Sequence, residues 1–220
     1  MCGRFTRGAS VKTIADAFEA EIIKAELSPS YNIAPTQPIA MIVNDGVQTL
    51  TTAKWGLIPA WASDAKLASK LINARAETLM EKASFKQAFR KRRCLIVADG
   101  FYEWKTEGKT KTPVYIHLKS GELFGFAGLY EVWNSPEGEA ITTGTIITTE
   151  ANELVAPIHS RMPVILPKAA QRVWLDGENE DPFALSDLLA PYDAAEMEWY
   201  EVSRLVNSPA NNSPECRQPV

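Results

Sequence analysis

The sequence is short of the residues from which metal and disulfide sites are built. Among 220 residues there are three cysteines, at positions 2, 94 and 216, and two histidines, His117 and His159. An odd cysteine count at such wide spacing gives neither a disulfide framework nor a zinc pattern, and two histidines leave no His-rich cluster. No metal and no cofactor is therefore expected. Long apolar runs are absent too, so nothing reads as a membrane span. The opening MCGRFTRGAS lacks the hydrophobic stretch of a secretory signal. A cytoplasmic monomer with no membrane partner is the expectation. An excess of positive charge is also missing: the net charge is −4, which argues mildly against nucleic-acid binding. The distribution says otherwise. Residues 1–120 carry 18 Lys/Arg against 11 Asp/Glu, a balance of +7, and residues 121–220 carry 5 against 16, a balance of −11. A local basic surface is compatible with an acidic whole.

What is present suits a globular chain, with 45% hydrophobic and 23% charged residues. Ser10 reads as the N-cap of a helix running to about Leu27, with Val11, Ile14, Ala15, Phe18 and Ile22 on its buried face. LSPSYNIAPTQP reads as extended loop, and residues 39–55, turning at Asn44-Asp45-Gly46, as a β-hairpin. WGLIPAWASD reads as loop, and residues 76–93 as helix. From Cys94 the chain turns to strands: CLIVA, FYEWK, a turn at Gly108, PVYIHL, FGFAGLY, GTIITT and MPVIL. Short helices are expected at PKAAQRVWL and near ENEDPFALSDLL. With no repeat and no long linker, residues 1–220 form one α+β domain around a strongly bent, barrel-like, mostly antiparallel sheet flanked by helices.

Cys2 is the unusual residue. Initiator methionine is generally removed when the next side chain is small, which would leave an α-amine and a thiol on one residue. The reference pKa values, roughly 7.7–8.0 for the amine and about 8.5 for the thiol, make both partly reactive near neutrality. Such an aminothiol condenses with aldehydes to an imine and then closes to a thiazolidine, aided by intramolecularity. By position alone an ordinary frayed terminus is the plainer reading.

Four further segments concentrate chemistry. Residues 71–78, LINARAET, gather Asn73, Arg75 and Glu77. Residues 98–105, ADGFYEWK, place Phe101, Glu103 and Lys105 on one strand face and Tyr102 and Trp104 on the other. Residues 157–163, PIHSRMP, set His159 two residues from Arg161, and Tyr31–Pro35 form a constrained polar loop. Singly, each is bland: Glu103 a solvent-face carboxylate, His159 a hydrogen-bonded loop residue, Arg75 a bridge to Glu77, Trp104 a core residue.

Together MCGRF, YNIAP, the turn from Trp55 to Pro59, LINARAET, ADGFYEWK and IHSRMPVIL resemble, in order and along the whole chain, the SOS-response-associated peptidase (SRAP) family of abasic-site processing proteins. The resemblance implies that Cys2, freed of Met1, joins the ring-opened sugar of an abasic site in single-stranded DNA. It also implies that the adduct shields the lesion in the SOS response to DNA damage, and that the family's peptidase activity removes its own Met1. It implies that Asn73 orients the terminal cysteine, Glu103 works as acid and base, and His159 assists imine chemistry and reversal. Arg4, Arg75 and Arg161 would contact phosphates, Trp61 and Trp104 would stack on bases, and Pro35 would line the strand. The chemistry agrees, since hemiacetal opening and carbinolamine dehydration both need proton transfer. The basic run Lys82, Lys86, Arg90, Lys91, Arg92 and Arg93 reads equally as a wider DNA footprint or a solvated helix face. A Met1 left in place would block the amine. Cys94 and His117 read as structural and Cys216 as incidental. The competing reading is an N-terminal-nucleophile glutamine amidohydrolase, which also begins Met-Cys-Gly, although its glutamine-binding and oxyanion segments are not found. A non-catalytic DNA reader is a third, and it would survive loss of the Cys2 thiol.

Overall fold

The structure is a computed structural model, and it describes residues 2–23 and 27–220. Fourteen strands are arranged in two sheets among these residues. They are β1 (Phe5–Arg7), β2 (Glu21–Ile22), β3 (Ser30–Ile33), β4 (Pro38–Asn44), β5 (Gln48–Trp55), β6 (Asn73–Arg75), β7 (Arg93–Ala98), β8 (Gly100–Glu107), β9 (Thr110–Leu118), β10 (Phe124–Asn134), β11 (Ala140–Glu150), β12 (Arg161–Pro163), β13 (Ile165–Leu166) and β14 (Met197–Glu201). The helices are α1 (Val11–Ala17), α2 (Lys86–Lys91), α3 (Lys168–Leu175) and α4 (Pro182–Asp187).

The larger sheet closes on itself. β11, β10, β7, β4 and β5 are neighbours in that order, and β5 then pairs in parallel with β11. The expected bent, barrel-like sheet is thus a five-strand barrel with extra strands: β12 and the parallel β6 flank β11, β13 joins β10, and β2 joins β5. The second sheet, in the order β14-β9-β8-β1-β3, is antiparallel throughout. Phe5 of β1 and Phe101 of β8 meet Phe126 of β10 edge-to-face, with centroids 5.8 and 6.1 Å apart, and so tie this sheet to the barrel.

Alternation along the barrel strands separates two cores. Leu95 and Val97 pack with Ile14, Phe85, Phe89 and Trp174 of the helical layer. Cys94, Ile96 and Ala98 pack on the other side with Phe5, Phe101 and Cys2. The helices therefore lie across the sheet wall from Cys2.

Three local expectations are corrected. The first helix begins as read, with Ser10 Oγ accepting from the Thr13 N–H, but it ends at Ala17. Glu19 adopts a left-handed φ of 49° and the chain turns into β2, where parallel pairing with β5 outbids helix propensity. Ile22, expected in the buried face, is 51% exposed, and the continuation over residues 24–26 lies outside the described residues. The expected helix over 76–93 shrinks to a 3₁₀ turn, Ala76–Thr78, and α2. Leu79 and Phe85 both enter the helical-side core, and six residues is the wrong interval for one face of an unbroken helix. The YNIAP loop is largely strand: β3 pairs with β1 and buries Asn32. The hairpin β4–β5, the β8–β9 turn and helices α3 and α4 stand where expected.

Candidate functional site

Cys2 precedes β1 and is fully buried. β6 is laid against β11 in parallel, braced by the Trp55 Nε1–H donating to the Ile72 carbonyl at 2.9 Å. That placement lets Asn73 Nδ2 donate to the Cys2 carbonyl at 2.8 Å. A side-chain amide far along the chain thus holds the second residue in place. The Cys2 thiol lies 4.0 Å from the Arg4 carbonyl, a weak contact. Burial pushes its pKa far up, and the nearby negative charge of Glu103 adds to the effect, so the sulfur rests as the neutral thiol.

Glu103 sits in mid-β8 and is 4% exposed. It is not the solvent-face carboxylate of the plain reading. Burial raises its pKa, and the charge of His159 works against that rise. Both groups therefore lie within electrostatic reach of each other, as Glu103 and Cys2 do. His159 ends a turn that Asn152 organises, its Oδ1 accepting from the Val155 N–H at 3.0 Å and its Nδ2 donating to the Tyr192 carbonyl. The Arg161 N–H donates to His159 Nδ1 at 3.0 Å. The same nitrogen also lies 3.2 Å from the Arg161 carbonyl oxygen. Glu103 and His159, with Trp104, Thr106, Lys111, Ile158 and Asn207, line an open cleft of about 540 Å³. Four residues scattered over some 160 positions thus form one acid–base neighbourhood around the start of the chain.

The residues expected on DNA fare differently. Arg4 donates to Asn32 Oδ1 and to the Val206 carbonyl, both at 2.7 Å, and lies over the Trp104 ring. Trp104 is half-buried, and its Nε1–H donates to Asn207 Oδ1 at 2.8 Å. Arg161 makes a bidentate pair with Glu77, at 2.6 and 3.0 Å, and also donates to the Thr148 carbonyl. Glu77 thus bridges to Arg161 and not to Arg75, which is exposed and makes no ion pair among the described residues. Trp61 is 64% exposed on the loop after β5, and Pro35 is half-buried beyond β3. The basic run divides: Lys82, Lys86, Arg90 and Lys91 are exposed, whereas Arg92 and Arg93 are tied into the fold. Arg93 is buried against backbone carbonyls, Arg92 pairs with Glu131 and Lys91 with Glu180. The helix it flanks lies on the far side of the barrel wall.

Two things were missed in the sequence. Asn32 is a hub: besides Arg4, it serves the carbonyls of Val206, Ser208 and Asn211. Its signal was a polar residue between two apolar ones in a strand. Cys216, read as incidental, is fully buried and packs with Tyr102 and Tyr115. Cys94 is buried as expected, and His117 stacks on Tyr115.

A closed barrel packed against a second sheet, with a buried cysteine at position 2 and a Glu–His cleft, has close relatives. The chain belongs to the SRAP family, "SOS response associated peptidase", whose sequence profile matches residues 1–209. It is 54% identical over 219 residues to the abasic site processing protein YoqW of Bacillus subtilis (strain 168), covering 98% of both chains. It is 34% identical over 221 residues to the abasic site processing protein HMCES of Xenopus tropicalis, covering 86% of this chain and 65% of that one. A crystal structure of a protein from Bacteroides thetaiotaomicron superposes over the full length of both chains with a TM-score of 0.91 at 29% identity. One from Bordetella bronchiseptica gives a TM-score of 0.81 at 28% identity, over 92% of this chain and all of that one.

Proposed function

We propose that this protein processes abasic sites in single-stranded DNA by capturing them on Cys2 after Met1 has been removed. The observation that carries the reading is the Asn73 bond to the Cys2 carbonyl, which holds the second residue within electrostatic reach of Glu103. An aminothiol fixed beside a proton-transfer pair suits an aldehyde better than it suits a phosphate or a peptide bond. The names of the relatives agree.

The steps follow from the groups present. Hydrolysis of the Met1–Cys2 bond consumes one water and frees the Cys2 amine. Glu103 removes the proton from the hydroxyl at the sugar's anomeric carbon and returns it to the ring oxygen as the bond between that oxygen and the anomeric carbon breaks, giving the aldehyde and a free hydroxyl. The amine adds to the carbonyl carbon. The resulting carbinolamine takes a proton from Glu103 or His159 and loses water, leaving the imine. Cys2 sulfur adds to the imine carbon while the thiol proton passes to nitrogen, closing the five-membered ring. Condensation releases one water overall. A neutral buried thiol is suited to this last step, because it delivers its proton to the nitrogen as the C–S bond forms. Exposed Arg75 and Trp104 on the cleft wall are the groups assigned to hold the strand, Arg4 and Arg161 being engaged by internal partners. Stacking on such a ring is worth roughly 1–3 kcal/mol per base.

Intact-mass measurement tests this. Uracil-excised single-stranded DNA should add the mass of the abasic strand less one water to the protein lacking Met1. Cys2→Ser should leave only a labile imine. An equally stable adduct with that variant would end the thiazolidine assignment, and ammonia release from glutamine would point to the amidohydrolase.

A further inference from the structure

Two of the three arginines expected on phosphates are held by internal partners: Arg4 by Asn32 and Val206, and Arg161 by Glu77 and Thr148. The cleft nevertheless has a cation on its wall. On the β8–β9 hairpin Thr106 lies directly opposite Lys111, and Trp104 opposite Pro113. Residues two apart share a strand face, so Trp104 and Thr106 follow one another about 7 Å apart, with Lys111 beside Thr106. All three line the cleft that contains Glu103 and His159. Lys111 is exposed and makes no ion pair among the described residues, whereas Lys105 on the same hairpin is paired with Glu107 at 2.7 Å. Asn207 also lines the cleft, and its grip on the indole N–H holds the Trp104 ring in orientation.

We propose that Lys111 and Thr106 form a phosphate subsite at the outer end of the cleft, holding the nucleotide next to the one that reaches Glu103. This rests on the single-stranded DNA reading of the cleft. The ammonium supplies a compact point charge on a flexible stem, and the hydroxyl supplies a short donor, the pair by which side chains hold a phosphate without reading the base. Trp104 accepts a base and Lys111 the adjoining phosphate, so the hairpin sets the direction in which the strand leaves the site.

The experiment is a salt titration of non-covalent binding, with an undamaged fluorescein-labelled oligothymidylate as probe. The plot of log affinity against log salt should become shallower by about 0.7 for Lys111→Gln, the loss of one single-strand phosphate contact. Lys111→Arg should restore the slope. Lys109→Gln, which removes an equal charge from the hairpin turn outside the cleft, should leave it unchanged. Equal slopes for Lys111→Gln and Lys109→Gln would overturn the subsite while leaving DNA binding intact. A wild-type protein that bound neither this probe nor an abasic strand would overturn the DNA reading itself.

Discussion

Glu103 combines two demands that oppose each other. A carboxyl that is 4% exposed gives up much of its hydration, and burial raises its pKa toward the range in which it can both take and give a proton. Glu103→Gln should therefore slow adduct formation by roughly 10²–10⁴-fold while leaving strand affinity nearly unchanged, as single-turnover kinetics on abasic DNA would show. An unchanged rate would remove Glu103 from the chemistry. The same burial has a stability consequence. A carboxyl whose pKa is higher folded than unfolded favours the folded state below its ordinary value of 4.5, and that contribution is lost as pH rises through the raised value. The Gln variant has no charge to bury, so its melting temperature should gain on the wild type as pH rises above 4.5. A difference that stays constant with pH would contradict this account.

At the scale of elements, Arg93 shows how the last residue of a basic run becomes scaffold. Its guanidinium donates to the carbonyls of Phe89 and Arg90 at the end of α2, and to those of Trp174, Asp176 and Asn179 at and beyond the end of α3. The carbonyls of Phe89, Arg90 and Trp174 belong to the last turns of two helices, where intrahelical donors run out. Arg93→Met should cost about 2–5 kcal/mol in urea unfolding, because it strands buried acceptors. It should leave the salt dependence of DNA binding as it was. A change in that slope would return the run to the DNA interface. β6 works in the other direction: three residues paired with β11 suffice to bring Asn73 to Cys2.

In the whole molecule the two ends of the chain are bound together. Arg4 and Asn32 both hold the Val206 carbonyl, Asn32 also holds Ser208 and Asn211, and Arg217 pairs with Asp99. The same C-terminal segment buries Val206 and Cys216 against Tyr102 and Tyr115. It thereby braces β1 and β8, the strands that carry Cys2 and Glu103 to the site. Removing residues 204–220 should lower stability by at least about 3 kcal/mol, from two buried side chains and the unmatched Asn32 amide. A truncated chain with the wild-type urea midpoint would show that the clasp is dispensable.

Much of this was legible from residues alone. Period-two alternation made the strands from Cys94 onward readable, and the β4–β5 hairpin announced itself through Asn-Asp-Gly, because those signals depend only on neighbours in the chain. The chemistry of a cysteine at position 2, and the candidacy of Asn73, Glu103 and His159, could likewise be argued from residue type and motif order. Closure of the barrel could not, since it depends on β5 and β11 pairing across about 90 residues. Neither could the early end of α1, where a distant strand competes with local propensity. Which cations stay free was also decided only by the fold: Arg161 found Glu77, Arg93 found helix ends, and Lys111 found no partner among the described residues. Sequence lists the charged groups, but their partners are set by contacts between residues far apart in the chain.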